Sequence, residues 1–138
     1  MTHKKFIWEY LDKSIYLRNK WKEENGVLYI KTWLDLRHTD ITSLPDNLHI
    51  YGWLSLRTTE ISSLPENLYI RDDLILSDSN ITTIPDSLIV GEYIFSYDAL
   101  LMSEQKQIDL ITSDKRNINI IKKPTEKAKT LHNLLWEL

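Results

Sequence analysis

The sequence predicts a single α/β domain (1–138) built as a solenoid: coils stacked through a parallel sheet (27–100), a helical N-terminal cap (1–26) and a mixed, helical C-terminal cap (101–138). Three observations predict it. Shifted by 20 residues, the chain matches itself: LDLRHTDITSLPDNLHIYGW from Leu34 to Trp53, LSLRTTEISSLPENLYIRDD from Leu54 to Asp73, and LILSDSNITTIPDSLIVGEY from Leu74 to Tyr93. A fixed short period marks repeat architectures, in which each unit buries its apolar face only against its neighbours. Inside each copy apolar residues recur at every second position, as in Leu34/Leu36, Leu54/Leu56 and Leu74/Leu76, the period of a strand with one face inward. At both ends the unit decays. LYIKTW, from Leu28 to Trp33, keeps only its end, and IFSYDAL, from Ile94 to Leu100, only its beginning, as terminal coils must where they would otherwise expose core.

The elements follow in order. Between Thr2 and about Lys20, the residues Ile7, Leu11 and Ile15, with Phe6, Tyr10 and Leu17 beside them, fall on one helical face, which is expected to close the first coil. Asn25-Gly26 is a turn signal into the first strand. Within each coil Thr39, Thr59 and Ser79 stand where a short hydroxyl can bond the backbone of a turn. Ile41, Ile61 and Ile81, then Leu44, Leu64 and Ile84, return inward. Pro45, Pro65 and Pro85 are each followed by an acid, Asp46, Glu66 or Asp86, which suits the first turn of a short helical or turn segment. Leu48/Ile50, Leu68/Ile70 and Leu88/Val90 form a second inward pair, before a bend to the next coil. Beyond the repeats, Ser103 to Thr112 reads as helical and Ile118 to Ile121 as extended. Pro124, followed by Ala128, Leu131, Leu135 and Leu138 at three- and four-residue steps, reads as a final helix that either closes the last coil or binds something.

The unit L-x-L-x-x-T-x-I-T-x-L-P-x-x-L-x-I resembles the leucine-rich repeat family in its short, 20-residue bacterial form, and is similar to short repeats that bacteriophages and their hosts encode. The resemblance covers Leu28 to Leu100. It implies a solenoid that binds other proteins on a curved sheet face. Two features depart from the family. Thr39, Thr59 and Ser79 stand where its asparagine ladder would be, and Leu48-x-Ile50 suggests a second extended side to each coil, closer to a β-solenoid in cross-section. Some secreted bacterial members join the array to a ubiquitin-ligase domain with a catalytic cysteine. This chain has no cysteine, so that activity is not carried over.

Composition excludes further classes. Without cysteine there are no disulfides, zinc-thiolate sites, iron–sulfur clusters or thiol nucleophiles, and a cytoplasmic setting, in a bacterium or an infected host, is expected. No apolar run approaches a membrane span, and Met1-Thr2-His3-Lys4-Lys5 lacks the apolar stretch of a signal peptide. Residues 27–98 carry four basic against eleven acidic residues, a net of −7, while each flank is +2. An acidic solenoid between weakly basic ends either attracts a basic partner, imitates a nucleic-acid backbone, or is simply well solvated. The histidines His3, His38, His49 and His132 have no metal-ligand spacing. Ser103-Glu104-Gln105-Lys106 fits S-x-x-K by chance, without the companion motifs of that chemistry. No enzyme activity, cofactor or metal is expected, and Asp46, Glu66 and Asp86 read as turn-capping carboxylates rather than calcium ligands.

Candidate binding residues come from the alternation. Residues flanking the first inward pair stack across coils as Trp33, Trp53, Asp73, Tyr93; then Asp35, Ser55, Ile75, Phe95; then Arg37, Arg57, Ser77, Tyr97. Trp, Tyr and Arg are the residue types enriched at interface centres. Two readings are open for the tryptophans, a partner surface or a stacking ladder, and the Arg37/Arg57 pair favours an acidic guest. The opposite side offers Tyr29, His49, Tyr69 and Ile89, then Lys31, Tyr51, Arg71 and Gly91, in which aromatic and basic residues interleave. Single-strand binders use that combination, but the net of −7 disfavours nucleic acid.

The expected function is non-catalytic binding of a partner protein through the repeat face. The likeness to phage-encoded repeats extends this to an inhibitor of a host defence complex, of the anti-CRISPR kind. The alternatives are a nucleic-acid mimic or binder, and a structural module that self-associates through Leu131, Leu135 and Leu138.

Overall fold

The computed structural model describes residues 1–96, 103–106 and 119–121. Over them the chain winds as a β-solenoid of about three turns, 20 residues to the turn, with two strands in each turn. The first sheet is ordered β1 (Trp21–Glu24), β2 (Val27–Ile30), β4 (Leu48–Ile50), β6 (Tyr69–Ile70), β8 (Ile89–Val90). The second is ordered β3 (Leu34–Asp35), β5 (Leu54–Ser55), β7 (Leu74–Ile75), β9 (Tyr93–Phe95), β10 (Asn119–Ile121). All pairs are parallel except β1 with β2, a hairpin turned by Asn25 and Gly26, both at positive φ (52° and 79°). Positive φ at both central residues matches the twist of the flanking strands, which is why Asn-Gly serves there.

Register follows the repeat. Leu28 pairs with Leu48, Ile50 with Ile70 and Ile70 with Val90, while Leu34, Leu54, Leu74 and Ile94 form one row of the second sheet. Both inward pairs of every coil are therefore buried and stack on their own counterparts, together with Ile41, Leu44, Ile61, Leu64, Ile81 and Ile84. Each such side chain contributes roughly 1.5–3 kcal/mol on leaving water, and the stack lets every coil use both of its neighbours. The expected extended segment near Ile118–Ile121 is present as β10, whose Asn119 pairs with Tyr93.

The second extended side suggested by Leu48-x-Ile50 is present as the first sheet, and the Leu-Pro corner takes the turn rather than the helical alternative. The departures from expectation are local. The N-terminal helix is short: α1 (His3–Phe6), with Thr2 Oγ1 accepting from Lys5 N, runs into one π-helical turn, Ile7–Leu11, and stops. Phe6, Leu11 and Leu17 join the core, but Ile15 is 78% exposed. A turn in which Arg18 N bonds Ser14 O, and Ser14 Oγ accepts from Leu17 N, carries Ile15 outward and brings Leu17 in. Residues 104–106 are helical; residues 107–112 of the segment expected to be a helix, the Pro124 helix and its Leu131/Leu135/Leu138 face lie outside the described residues.

Two side-chain ladders hold the corners. Thr39, Thr59 and Ser79 donate their hydroxyls to Leu36 O, Leu56 O and Leu76 O at 2.7, 2.7 and 2.6 Å. Their backbone N–H groups bond the same carbonyls, so each turn is closed twice. An asparagine ladder does exist, at a different position: Asn67 Nδ2 donates to Asn47 Oδ1 at 2.9 Å, and both residues are left-handed, at φ 56°. Asparagine tolerates that conformation better than most residues.

Candidate functional site

The outer face of the second sheet, where the sequence places most candidate residues, is largely engaged with itself. Trp33 and Trp53 stack with centroids 5.1 Å apart. Arg37 forks onto Asp35, its Nε 2.9 Å from Oδ1 and its Nη2 2.7 Å from Oδ2, and that bond holds its pKa above the ordinary arginine value. Arg57 Nε reaches Asp78 Oδ2 at 3.2 Å. Each guanidinium therefore already has a carboxylate neighbour, Asp35 or Asp78. Ile75 and Phe95, expected to point outward, are 4% and 6% exposed, and Ser55 of the same column and Ser77 of the next are buried too. Their alternation is right, but this side of the strand is not solvent. Tyr93 stays exposed, with Asp73 Oδ1 accepting from its N–H at 3.0 Å, and Tyr97 lies outside the described residues.

The outer face of the first sheet brings its candidates together. Strand alternation leaves Leu28, Ile30, Leu48, Ile50 and Ile70 inside and sends Tyr29, His49 and Tyr69 out in one row. The His49 ring lies 5.3 Å from Tyr29, edge-on at 81°, and 5.3 Å from Tyr69. Tyr51, from the adjacent row, stacks on Tyr29 at 6.3 Å and tilts against Tyr69 at 5.9 Å. Four rings from three coils therefore form one continuous surface. Ile89 extends the row and is 54% exposed.

Cations rim this cluster. Lys22, opposite Tyr29 in the β1 hairpin, holds its ammonium 5.6 Å from the Tyr29 centroid. Its pKa is raised chiefly by the bond to Glu24, with Tyr29 and Tyr51 adding. Arg71 is exposed and pairs with Asp72 at 3.1 Å, which raises its pKa. Partial burial pushes His49 below the ordinary histidine value, so its ring is neutral near pH 7 and continues the aromatic row. Lys22 was not legible as part of this face, because only the hairpin pairing, not the 20-residue period, puts it there.

The remaining singled-out residues have structural employment. Asp46 Oδ1 accepts from Glu66 N at 3.0 Å, Glu66 Oε2 from Ser87 Oγ at 2.7 Å, and Asp86 Oδ1 from Ser103 Oγ. The column braces the corners. Lys106, the lysine of the S-x-x-K match, is buried and directs its ammonium to Asp86 O and Leu88 O at the end of the first sheet. His3 bridges Glu23 Oε2 at 2.5 Å and Asp46 O at 2.7 Å, fastening the N-terminal segment to the first coil. Sequence reading missed a groove of ≈ 480 Å³ beside this segment, lined by Lys4, Ile7, Trp8, Asp12, Trp21 and Glu23. Trp8, on its rim, is exposed.

Among the described residues no group of three or more His, Asp or Glu is placed to hold a metal, and no helix is long and apolar enough to cross a membrane. Compared with protein-family models, with curated proteins and with solved structures, the chain gives no match.

Proposed function

We propose that this chain is a non-catalytic protein-binding module whose contact surface is the outer face of the first sheet. One observation carries the reading: Tyr29, His49, Tyr51 and Tyr69 form a contiguous, partly exposed ring cluster on a rigid stack. Tyrosine offers a large amphipathic contact area at little conformational cost, since it loses only two side-chain torsions on ordering. The strands beneath are fixed by inter-coil hydrogen bonds, so the surface is preorganised and binding need not order it. The second sheet supports this role less well, because its arginines pair with Asp35 and Asp78 and its tryptophans stack on each other.

The finer reading takes the array as a short leucine-rich-repeat type, capped by residues 1–26 and 101–138, that inhibits a host defence complex by occupying one of its surfaces. It rests on the resemblance of the repeat unit and not on the geometry of the face.

The test is affinity capture from a bacterial lysate with three tagged proteins: wild type, Tyr51→Ser/Tyr69→Ser, and Trp33→Ser/Arg57→Ala. A stoichiometric protein retained by the wild type and by the second-sheet variant, but lost from the tyrosine variant with its circular dichroism unchanged, supports the reading. Retention by the tyrosine variant, or capture of nuclease-sensitive material alone, overturns it.

A further inference from the structure

Charge is segregated around the first sheet in a way the chain's overall balance hides. The four strand stretches of this sheet, 27–31, 47–51, 67–71 and 87–91, contain none of the eleven acids of residues 27–98. They contain two of its four cations, Lys31 and Arg71, both exposed. The β1 hairpin adds Lys22 and Glu24. The acids collect instead at the corners, as Asp46, Glu66 and Asp86 on one side and Asp72, Asp73 and Glu92 on the other. A tyrosine-centred face of net positive charge, about 20 Å across its five strands, is thus set into an acidic body.

Building on the protein-binding reading above, we infer that this face takes an acidic segment of its partner, whose carboxylates sit on Lys31, Arg71 and Lys22 while its apolar side chains lie on the Tyr29/His49/Tyr51/Tyr69 cluster. The present ion pairs do not oppose this. Lys22 with Glu24 and Arg71 with Asp72 are solvent-exposed pairs, the kind that contributes about 0–1 kcal/mol, so exchange for a partner carboxylate costs little. Tyrosine hydroxyls can donate to the same carboxylates. A basic partner would face three cations, Lys22, Lys31 and Arg71, against the single carboxylate of Glu24 on this face. A nucleic-acid strand needs successive phosphates neutralised, and its affinity grows with the number of cations engaged. Three cations between acidic corners serve a short carboxylate cluster better than a continuous polyanion.

The inference is tested on the full chain by NMR titration at low salt with three probes: a six-residue peptide alternating glutamate and leucine, its lysine-leucine counterpart, and a six-nucleotide thymidine strand. The expected result is saturable shifts from the acidic peptide at the amides of Tyr29, His49, Tyr51, Tyr69 and Arg71. Its affinity should exceed that of either other probe by about tenfold and fall as salt screens the charges. Lys31→Glu/Arg71→Glu should abolish these shifts while leaving the rest of the spectrum in place. Equal or tighter binding of the lysine peptide or the oligonucleotide, or no saturable shift with the acidic peptide, overturns the inference. In the capture experiment, a partner lost with Tyr51→Ser/Tyr69→Ser but kept by Lys31→Glu/Arg71→Glu would remove the acidic-segment inference and leave the binding face standing.

Discussion

The indole rings of Trp33 and Trp53 lie within 7° of parallel, their centroids 5.1 Å apart. Parallel in-register strands put identical positions of successive coils one strand spacing apart, and that spacing lets aromatic faces meet. The stack is a consequence of the repeat and acts as a cross-coil tie. Truncating either ring should therefore also weaken its neighbour's contribution. In urea unfolding, Trp33→Ala and Trp53→Ala are each expected to destabilise, and the double variant should fall short of their sum by about 0.5–1.5 kcal/mol. Strict additivity would show that the rings stack without stabilising each other.

One position of the coil is conformationally awkward. His38, Thr58 and Asp78 are all left-handed, at φ 60°, 54° and 57°. Left-handed backbone suits Asn and Asp but crowds a β-branched side chain. Thr58 offsets part of this by donating to Arg57 O at 2.7 Å and contacting His38 Nδ1 at 2.9 Å. Thr58→Asn should nevertheless stabilise by about 1 kcal/mol, visible as a Tm higher by a few degrees. A lower Tm would mean that the two hydroxyl contacts outweigh the backbone strain.

Two glycines are needed for different reasons. A Cβ at Gly52 would overlap the backbone of Trp33, which cannot move without shifting the coil beneath. A Cβ at Gly26 would meet nothing, but the residue sits at φ 79°. Gly52→Ala should cost about 3 kcal/mol, at the upper end of ordinary substitutions, and Gly26→Ala about 1 kcal/mol. Asparagine separates the causes. Gly26→Asn should recover most of the loss, whereas Gly52→Asn should be no better than alanine, as chemical denaturation of the four variants would show.

The stack, its register and its core were legible because period 20 and period 2 are both written in the leucines: Leu34, Leu54 and Leu74 could only coincide in parallel register. The second extended side of each coil, the first sheet, was visible in Leu48-x-Ile50 for the same reason. What alternation does not reveal is whether the other side of a strand meets solvent. Ile75 and Phe95 have the right parity for a surface and are buried all the same. Ile15 failed in the opposite sense, since one turn after Leu11 ends the helical period that placed it inside. The outward aromatics Tyr29, His49 and Tyr69 were correctly aligned by the period. Their union with Tyr51 into one cluster depends on ring orientation, and the placement of Lys22 on a hairpin, neither of which a one-dimensional pattern encodes.

Asp73 stands in the column that carries Trp33, Trp53 and Tyr93, and its carboxyl is half-buried at the bend between the sheets. Burial raises its pKa above the ordinary aspartate value; Asp72 and Glu92 push the same way, and the hydrogen bond from Tyr93 N–H opposes them. An acid with a higher pKa folded than unfolded holds more protons in the native state between the two values. Stability therefore falls as pH rises from about 4 through the folded value, and the penalty is complete at neutral pH. Asp73→Asn keeps an oxygen for the Tyr93 N–H and removes the charge. It should raise the Tm at about pH 7, by roughly 2 °C. The gain should shrink as pH falls through the Asp73 titration and vanish below about pH 4, where the carboxyl is protonated in both states. Melting curves of both proteins from about pH 3.5 to 8 decide the matter. A gain of the same size at every pH would assign the effect to packing rather than charge, and a loss at neutral pH would mean that the carboxylate's bond to Tyr93 outweighs its desolvation.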